Sequence, residues 1–84
     1  MIFSKSFCPY CKNTKRLFLE KNIEAKIYEL DQILRGHEIQ HALLLMTGQK
    51  TVPNVFVKGI HIGGDDDTAK AFKNGTIKDL LVPD

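Results

Sequence analysis

An α/β fold built on a four-stranded mixed sheet, with helices on both faces, is what this 84-residue sequence predicts. Three observations point to it. Residues 2 to 30 read as strand, helix, strand, at a length that suits a parallel βαβ unit. After Gly48 the apolar period shortens, and two strand-like runs are separated only by Lys58-Gly59, the spacing of an antiparallel hairpin. A third helical run then follows three consecutive acids. The sheet is therefore expected to combine a parallel pair with an antiparallel pair.

Each element has its own warrant. Ile2 to Ser4 reads as a short first strand, and Pro9 to about Lys21 as a helix in which Thr14, Leu17, Phe18 and Lys21 share a face with Cys11. Ala25 to Leu30 alternates as a second strand. After Asp31 a second helix carries Ile39, Ala42, Leu43 and Met46 at i, i+3, i+4 and i+7, and Gly48 is placed to stop it. Leu43, Met46 and Phe56 are assigned to the core. Asn54 to Val57 and Ile60 to Ile62 form the hairpin, which Gly63-Gly64 breaks. Asp65, Asp66 and Asp67 are expected to cap the third helix and complement its dipole, and that helix stops near Gly75. Thr76 is expected to cap a last short helix through Leu81, ended by Pro83.

Composition narrows the function classes. A chain of this length is expected to form one domain, residues 1 to 84, with a small core. A net charge of +2 with scattered basic residues argues against a nucleic-acid partner. The longest apolar run, Ala42 to Met46, is far too short to span a membrane. Two cysteines are too few for a disulfide scaffold, and the start lacks the basic and apolar segments of a signal peptide. The expectation is a cytoplasmic, monomeric protein in a reducing compartment.

Both cysteines lie in Cys8-Pro9-Tyr10-Cys11, a spacing that reads as a redox dithiol. With Cys8 as N-cap, Pro9 takes the first helical position, where its missing N–H costs nothing. The sulfur of Cys8 then sits where a serine or aspartate oxygen would accept backbone N–H groups. A thiolate is stabilised there by those donors and by the helix dipole, with Lys5 adding positive charge nearby. Cys8 is the expected nucleophile. Cys11, one turn into the helix, is the more sheltered sulfur and the expected resolving thiol.

The chain resembles a dithiol glutaredoxin of the CPYC type. The resemblance is carried by Ser4-Lys5-Ser6-Phe7 before CPYC, by Thr47 to Val57 with its Thr51-Val52-Pro53, and by Gly59 to Gly64 followed by the aspartates. It implies a thioredoxin-like fold and glutathione-dependent reduction of protein–glutathione mixed disulfides and protein disulfides. It further implies that Lys5 and Gln40 hold the glycine carboxylate of glutathione and that Tyr10 flanks the sulfur. Thr51, Val52 and a cis Pro53 would present the Val52 backbone to the cysteinyl part. Gly64, Asp66 and Asp67 would receive the γ-glutamyl end. The chain departs from the family pattern at two points. The sequence begins seven residues before Cys8, at either a native or a trimmed start, so the first strand is expected to be shorter than usual, without the leading helix. Asp65 also makes a third acid, which either weakens binding of glutathione's carboxylate or simply caps the helix.

Two alternatives stand beside this reading. Some glutaredoxins bridge an iron–sulfur cluster through the nucleophilic cysteine and glutathione, although Pro9 stiffens the loop where cluster binders carry a smaller residue. Cys8, Cys11, His37 and His41 also spell C-x2-C followed by H-x3-H, superficially a zinc site, but 25 residues intervene where about 12–15 are usual. No metal is expected, and His37, His41 and His61 are read as solvated surface residues.

Overall fold

A computed structural model describes residues 1–82. In chain order the elements are β1 (Ile2–Ser4), α1 (Pro9–Glu20), β2 (Ile27–Glu29), α2 (Gly36–Thr47), β3 (Asn54–Val57), β4 (Ile60–Gly63), α3 (Asp65–Lys73) and α4 (Thr76–Leu81). The four strands lie in the order β2-β1-β3-β4, with β1 and β2 parallel and the other two pairings antiparallel. This is the predicted mixed sheet.

Alternation along the strands divides the side chains between two faces. Ile2 pairs with Val55, and these two with Val57 pack against Phe18, Ala71 and Ile77 to form the buried core. Phe18 of α1 meets Phe72 of α3 edge-on, with ring centroids 5.0 Å apart. The other face carries Phe3 and Phe56 at 6.0 Å, with Tyr28 stacked on Phe3 at 5.4 Å. There α2 lies across a cleft lined by Ile39, Ala42, Leu43 and Met46 together with Phe3 and Phe56.

Several local expectations need correction. Leu43 is 5% exposed, as a core residue should be, but Met46 is 74% exposed. The helical period identified the apolar face of α2 correctly; it could not show that the cleft beneath one edge stays open. Lys21, placed on the buried face of α1, is the exposed C-cap residue. The second strand is shorter than Ala25 to Leu30, and α2 begins only after a turn in which Arg35 takes a left-handed φ of 64°. Gly36 follows it, where a Cβ would overlap the carbonyl oxygen of Leu30.

Gly64, not an aspartate, is the N-cap of α3, and no side chain caps that helix; the three acids lie in its first turn and complement the dipole from there. Gly75 caps α4 with a φ of 85°, while Asn74 Oδ1 accepts from the Thr76 N–H at 3.0 Å and its hydroxyl at 2.6 Å. Thr76 is thus the bound partner and not the cap. Pro83, expected to end α4, lies outside the described residues. The hairpin connection behaves as predicted: Lys58 and Gly59 have φ of 50° and 79°, the pair of positive values that a two-residue turn between twisted strands requires.

Candidate active site

Cys8 is the N-cap residue of α1, with extended backbone, and Pro9 follows at the first helical position. The Cys11 N–H donates to Cys8 Sγ at 3.3 Å. That bond turns the positive end of a backbone dipole at the helix N-terminus toward the sulfur. Cys8 is half-buried, whereas Cys11 has no exposed surface, and both are free thiols. Burial pushes the Cys11 thiol above its ordinary range; contacts with the Lys5 backbone and the Ser4 hydroxyl pull it partly back, and the neighbouring Cys8 adds to the rise. The two sulfurs therefore differ by environment: one is accessible at a helix N-terminus, and the other is sheltered and harder to ionise.

The segment before Cys8 is tied to the sheet. The Cys8 N–H donates to the Lys5 carbonyl at 3.1 Å. Ser6 donates its N–H to Asp31 Oδ1 at 2.9 Å and its hydroxyl to Oδ2 of the same carboxylate. These two bonds hold the Asp31 carboxyl below its usual range, with Lys5 adding a smaller Coulombic pull. The sequence assigned Asp31 no role beyond marking where the second helix follows. The signal was nonetheless present, because a βαβ unit brings the end of β2 beside the end of β1.

Opposite Cys8 stands the Thr51-Val52-Pro53 segment, with the Val52–Pro53 bond cis, as the resemblance implied. The Val52 carbonyl lies 3.9 Å from Cys8 Sγ. Gln49, which the sequence reading did not single out, donates its side-chain amide to the carbonyls of Thr51 at 3.1 Å and Pro53 at 2.9 Å. Gln40 reaches across from α2 and donates to the Lys50 carbonyl at 2.8 Å. Two glutamine side chains thus hold the carbonyls of this loop.

A cleft of about 460 Å³ opens beside this segment, lined by Tyr10, Gln49, Thr51, Val52 and Pro53 on one side and by Gly64, Asp65, Asp66 and Asp67 on the other. Because no side chain caps α3, the N–H groups of its first turn have no side-chain acceptor. Gly63 has a φ of 126°, and a Cβ there would overlap the Asp67 carboxylate, so glycine is needed for the acids to sit where they do. Lys5 and Gln40 line a neighbouring cleft of about 550 Å³, with Phe7, Asp31, Arg35 and His37. Of the predicted residues, Tyr10, Thr51, Val52, Pro53, Gly64, Asp66 and Asp67 thus line one cleft and Lys5 and Gln40 the other, while Cys8 meets the first through the Val52 carbonyl and Cys11 is buried.

Asp65 does not cap α3, and its carboxylate has a partner outside that helix. Its Oδ1 accepts from Thr14 Oγ1 at 2.8 Å and from Asn13 Nδ2 at 2.9 Å, which turns the carboxylate toward α1 and ties the two helix N-terminal regions together. Thr14 is fully buried, so its hydroxyl needs such an acceptor. His61 is exposed but engaged: its Nε2 lies 2.9 Å from Asn54 Oδ1. Cys8, Cys11, His37 and His41 do not converge, and among the described residues no three His, Cys, Asp or Glu side chains are grouped so as to hold a metal ion.

Comparison with known proteins agrees with this geometry. Residues 1–62 match the family model described as glutaredoxin. Glutaredoxin-1 of Rhizophagus irregularis is 49% identical over 82 residues, covering 98% of this chain and 81% of that protein. Glutaredoxin-C8 of Oryza sativa subsp. japonica is 51% identical over 83 residues, covering 96% of this chain but 61% of that protein. Among solved structures, a buckwheat glutaredoxin–glutathione complex superposes with a TM-score of 0.91 at 45% identity, covering 95% of this chain and 73% of that one.

Proposed function

Since the chain belongs to the glutaredoxin family, whose members are glutathione-dependent oxidoreductases, we propose that it reduces protein–glutathione mixed disulfides and protein disulfides, with Cys8 as nucleophile and Cys11 as resolving thiol. The observation that carries this reading is the inequality of the two sulfurs: Cys8 accepts the Cys11 N–H at a helix N-terminus, while Cys11 is buried and its thiol pushed up.

On the first route the Cys8 thiolate attacks the glutathionyl sulfur of a mixed disulfide. The S–S bond breaks, the substrate thiolate leaves and takes up a proton, and glutathione remains on Cys8. A second glutathione thiolate then attacks that glutathionyl sulfur, forming glutathione disulfide and returning Cys8 as the thiolate that the helix N-terminus stabilises. On the second route Cys8 attacks a protein disulfide. Cys11 then loses its proton and displaces the substrate from Cys8, leaving a Cys8–Cys11 disulfide for glutathione to reduce.

Glutathione would lie along the two clefts. The Val52 backbone pairs with its cysteinyl part as an added strand, beside Tyr10. Lys5 and the second amide hydrogen of Gln40 hold the glycine carboxylate; the first is already used on Lys50. The uncapped N–H groups of α3 take the γ-glutamyl carboxylate, and the Asp66 and Asp67 carboxylates face its ammonium. Thr51 and Pro53 shape the loop, and Gly64 keeps side chains out of the way. A reducing, cytoplasmic setting and action as a monomer on protein substrates complete the proposal.

The test is a coupled assay with glutathione, glutathione reductase and NADPH on a glutathionylated peptide. Cys11→Ser should retain deglutathionylation and Cys8→Ser should abolish it; equal losses in the two variants would overturn the division of roles.

A further inference from the structure

We infer that Gln49 is a positioning residue for glutathione, one whose side-chain amide orients the Val52 peptide groups toward the ligand. The inference rests on the reading that glutathione pairs with Val52. A single Nε2 donates to both carbonyls that flank Val52, Thr51 O at 3.1 Å and Pro53 O at 2.9 Å. A primary amide nitrogen has two hydrogens, so both are used, and one rigid plane fixes two peptide groups. With the carbonyls of residues 51 and 53 held by Gln49, the Val52 carbonyl is left on the side of Cys8, 3.9 Å from its sulfur.

Gln49 is itself fixed. Its N–H donates to Thr47 Oγ1 at 3.1 Å, and that hydroxyl donates to the Leu43 carbonyl at 2.7 Å, so the side chain starts from the anchored C-terminus of α2. It lies at the cleft and close to Gly64, the cap of α3. Without the amide, the Thr51 and Pro53 carbonyls turn to water and the loop samples orientations in which Val52 cannot pair. The ordering cost then falls on ligand binding and not on the sulfur chemistry.

The experiment compares the full chain with Gln49→Met, which keeps the length and removes both donors, and with Gln49→Asn, which keeps an amide too short to span both carbonyls. KM and kcat for the glutathionylated peptide, whose glutathionyl group is the one that pairs with Val52, are measured in the coupled assay at fixed glutathione, and Cys8 reactivity separately by its rate of alkylation with iodoacetamide. Both variants should raise KM about fivefold to tenfold, the scale of one hydrogen bond's net contribution. Values of kcat and of the alkylation rate should stay within about twofold, because neither bond touches the thiolate. An unchanged KM overturns the inference. So does a parallel loss of kcat and alkylation rate, which is what a merely structural role would produce. If Gln49→Met loses its cooperative melt, Gln49→Asn decides the question by the same criteria. A wild-type protein that does not turn over glutathione refutes the underlying reading itself, a result distinct from any difference between variants.

Discussion

Replacing Asp65 by alanine tests the link between α1 and α3. The carboxylate accepts from the Thr14 hydroxyl at 2.8 Å and the Asn13 amide at 2.9 Å. A hydrogen bond to a charged acceptor contributes about 1.5–3 kcal/mol, and a buried donor left without a partner costs about 1–3 kcal/mol. Thr14 has no exposed surface, so its hydroxyl bears that full penalty; Asn13 is half-buried and recovers most of its loss by turning to water. Removing an acid from the first turn of α3 costs a further ~0.3–1 kcal/mol through the dipole. The expected sum is about 2–3 kcal/mol. At about 4–8 °C per kcal/mol for a domain of this size, Tm falls by roughly 10–20 °C.

Urea unfolding followed by circular dichroism measures the change, provided the m-value is unaltered. Thr14→Val in the Asp65→Ala background removes the stranded hydroxyl, so the double variant should lose about 1–2 kcal/mol less than the two single losses added together. Asp66→Ala, which removes an acid from the same turn without touching α1, should cost no more than about 1 kcal/mol. The reasoning is refuted if Asp65→Ala costs no more than Asp66→Ala, or if the two changes simply add.

Other consequences can be checked separately. In Cys8→Ser, alkylation of Cys11 should become fast only above the ordinary thiol range, since burial is the largest cause of its raised titration; a rate that levels off near neutrality would contradict this. Ser6→Ala should move the Asp31 carboxyl up toward the ordinary carboxylate value, followed by NMR titration of its side chain. The sign is fixed: a lowered folded-state value means the Ser6–Asp31 bonds stabilise the fold above the ordinary carboxylate value, and that stabilisation disappears as pH falls through the lowered one. The variant should therefore lose part of the stability difference between neutral and acidic pH. Gly36→Ala should destabilise by about 1–3 kcal/mol although alanine favours helices by roughly 1 kcal/mol, because the new methyl group meets the Leu30 carbonyl. A neutral or stabilising result in thermal melts would show that the approach is not tight.

Local periodicity and turn chemistry carried much of the fold. The βαβ order, the hairpin at Lys58-Gly59 and the N-cap role of Cys8 could all be read from spacing, because each depends on a few adjacent residues. What escaped depends on contacts distant in sequence. Asp65 looked like a helix cap until Asn13 and Thr14, more than fifty positions away, gave its carboxylate another partner. Gln49 carries no signal of its own in the sequence, because nothing in the linear order shows that Thr51 and Pro53 turn their carbonyls to the same side. Met46 lies on the apolar face of α2, but the period describes a face and not what covers it. At Gly36 the constraint is the Leu30 backbone, and no pattern within α2 reports it.

The central claim, that Cys8 takes glutathione and Cys11 does not, is tested most directly by intact-mass and peptide mass spectrometry of Cys11→Ser after incubation with glutathione disulfide. The account predicts one glutathionyl group, located on Cys8 and removed on adding glutathione. A protein that remains unmodified at Cys8, or a wild-type adduct that maps to Cys11, would contradict it.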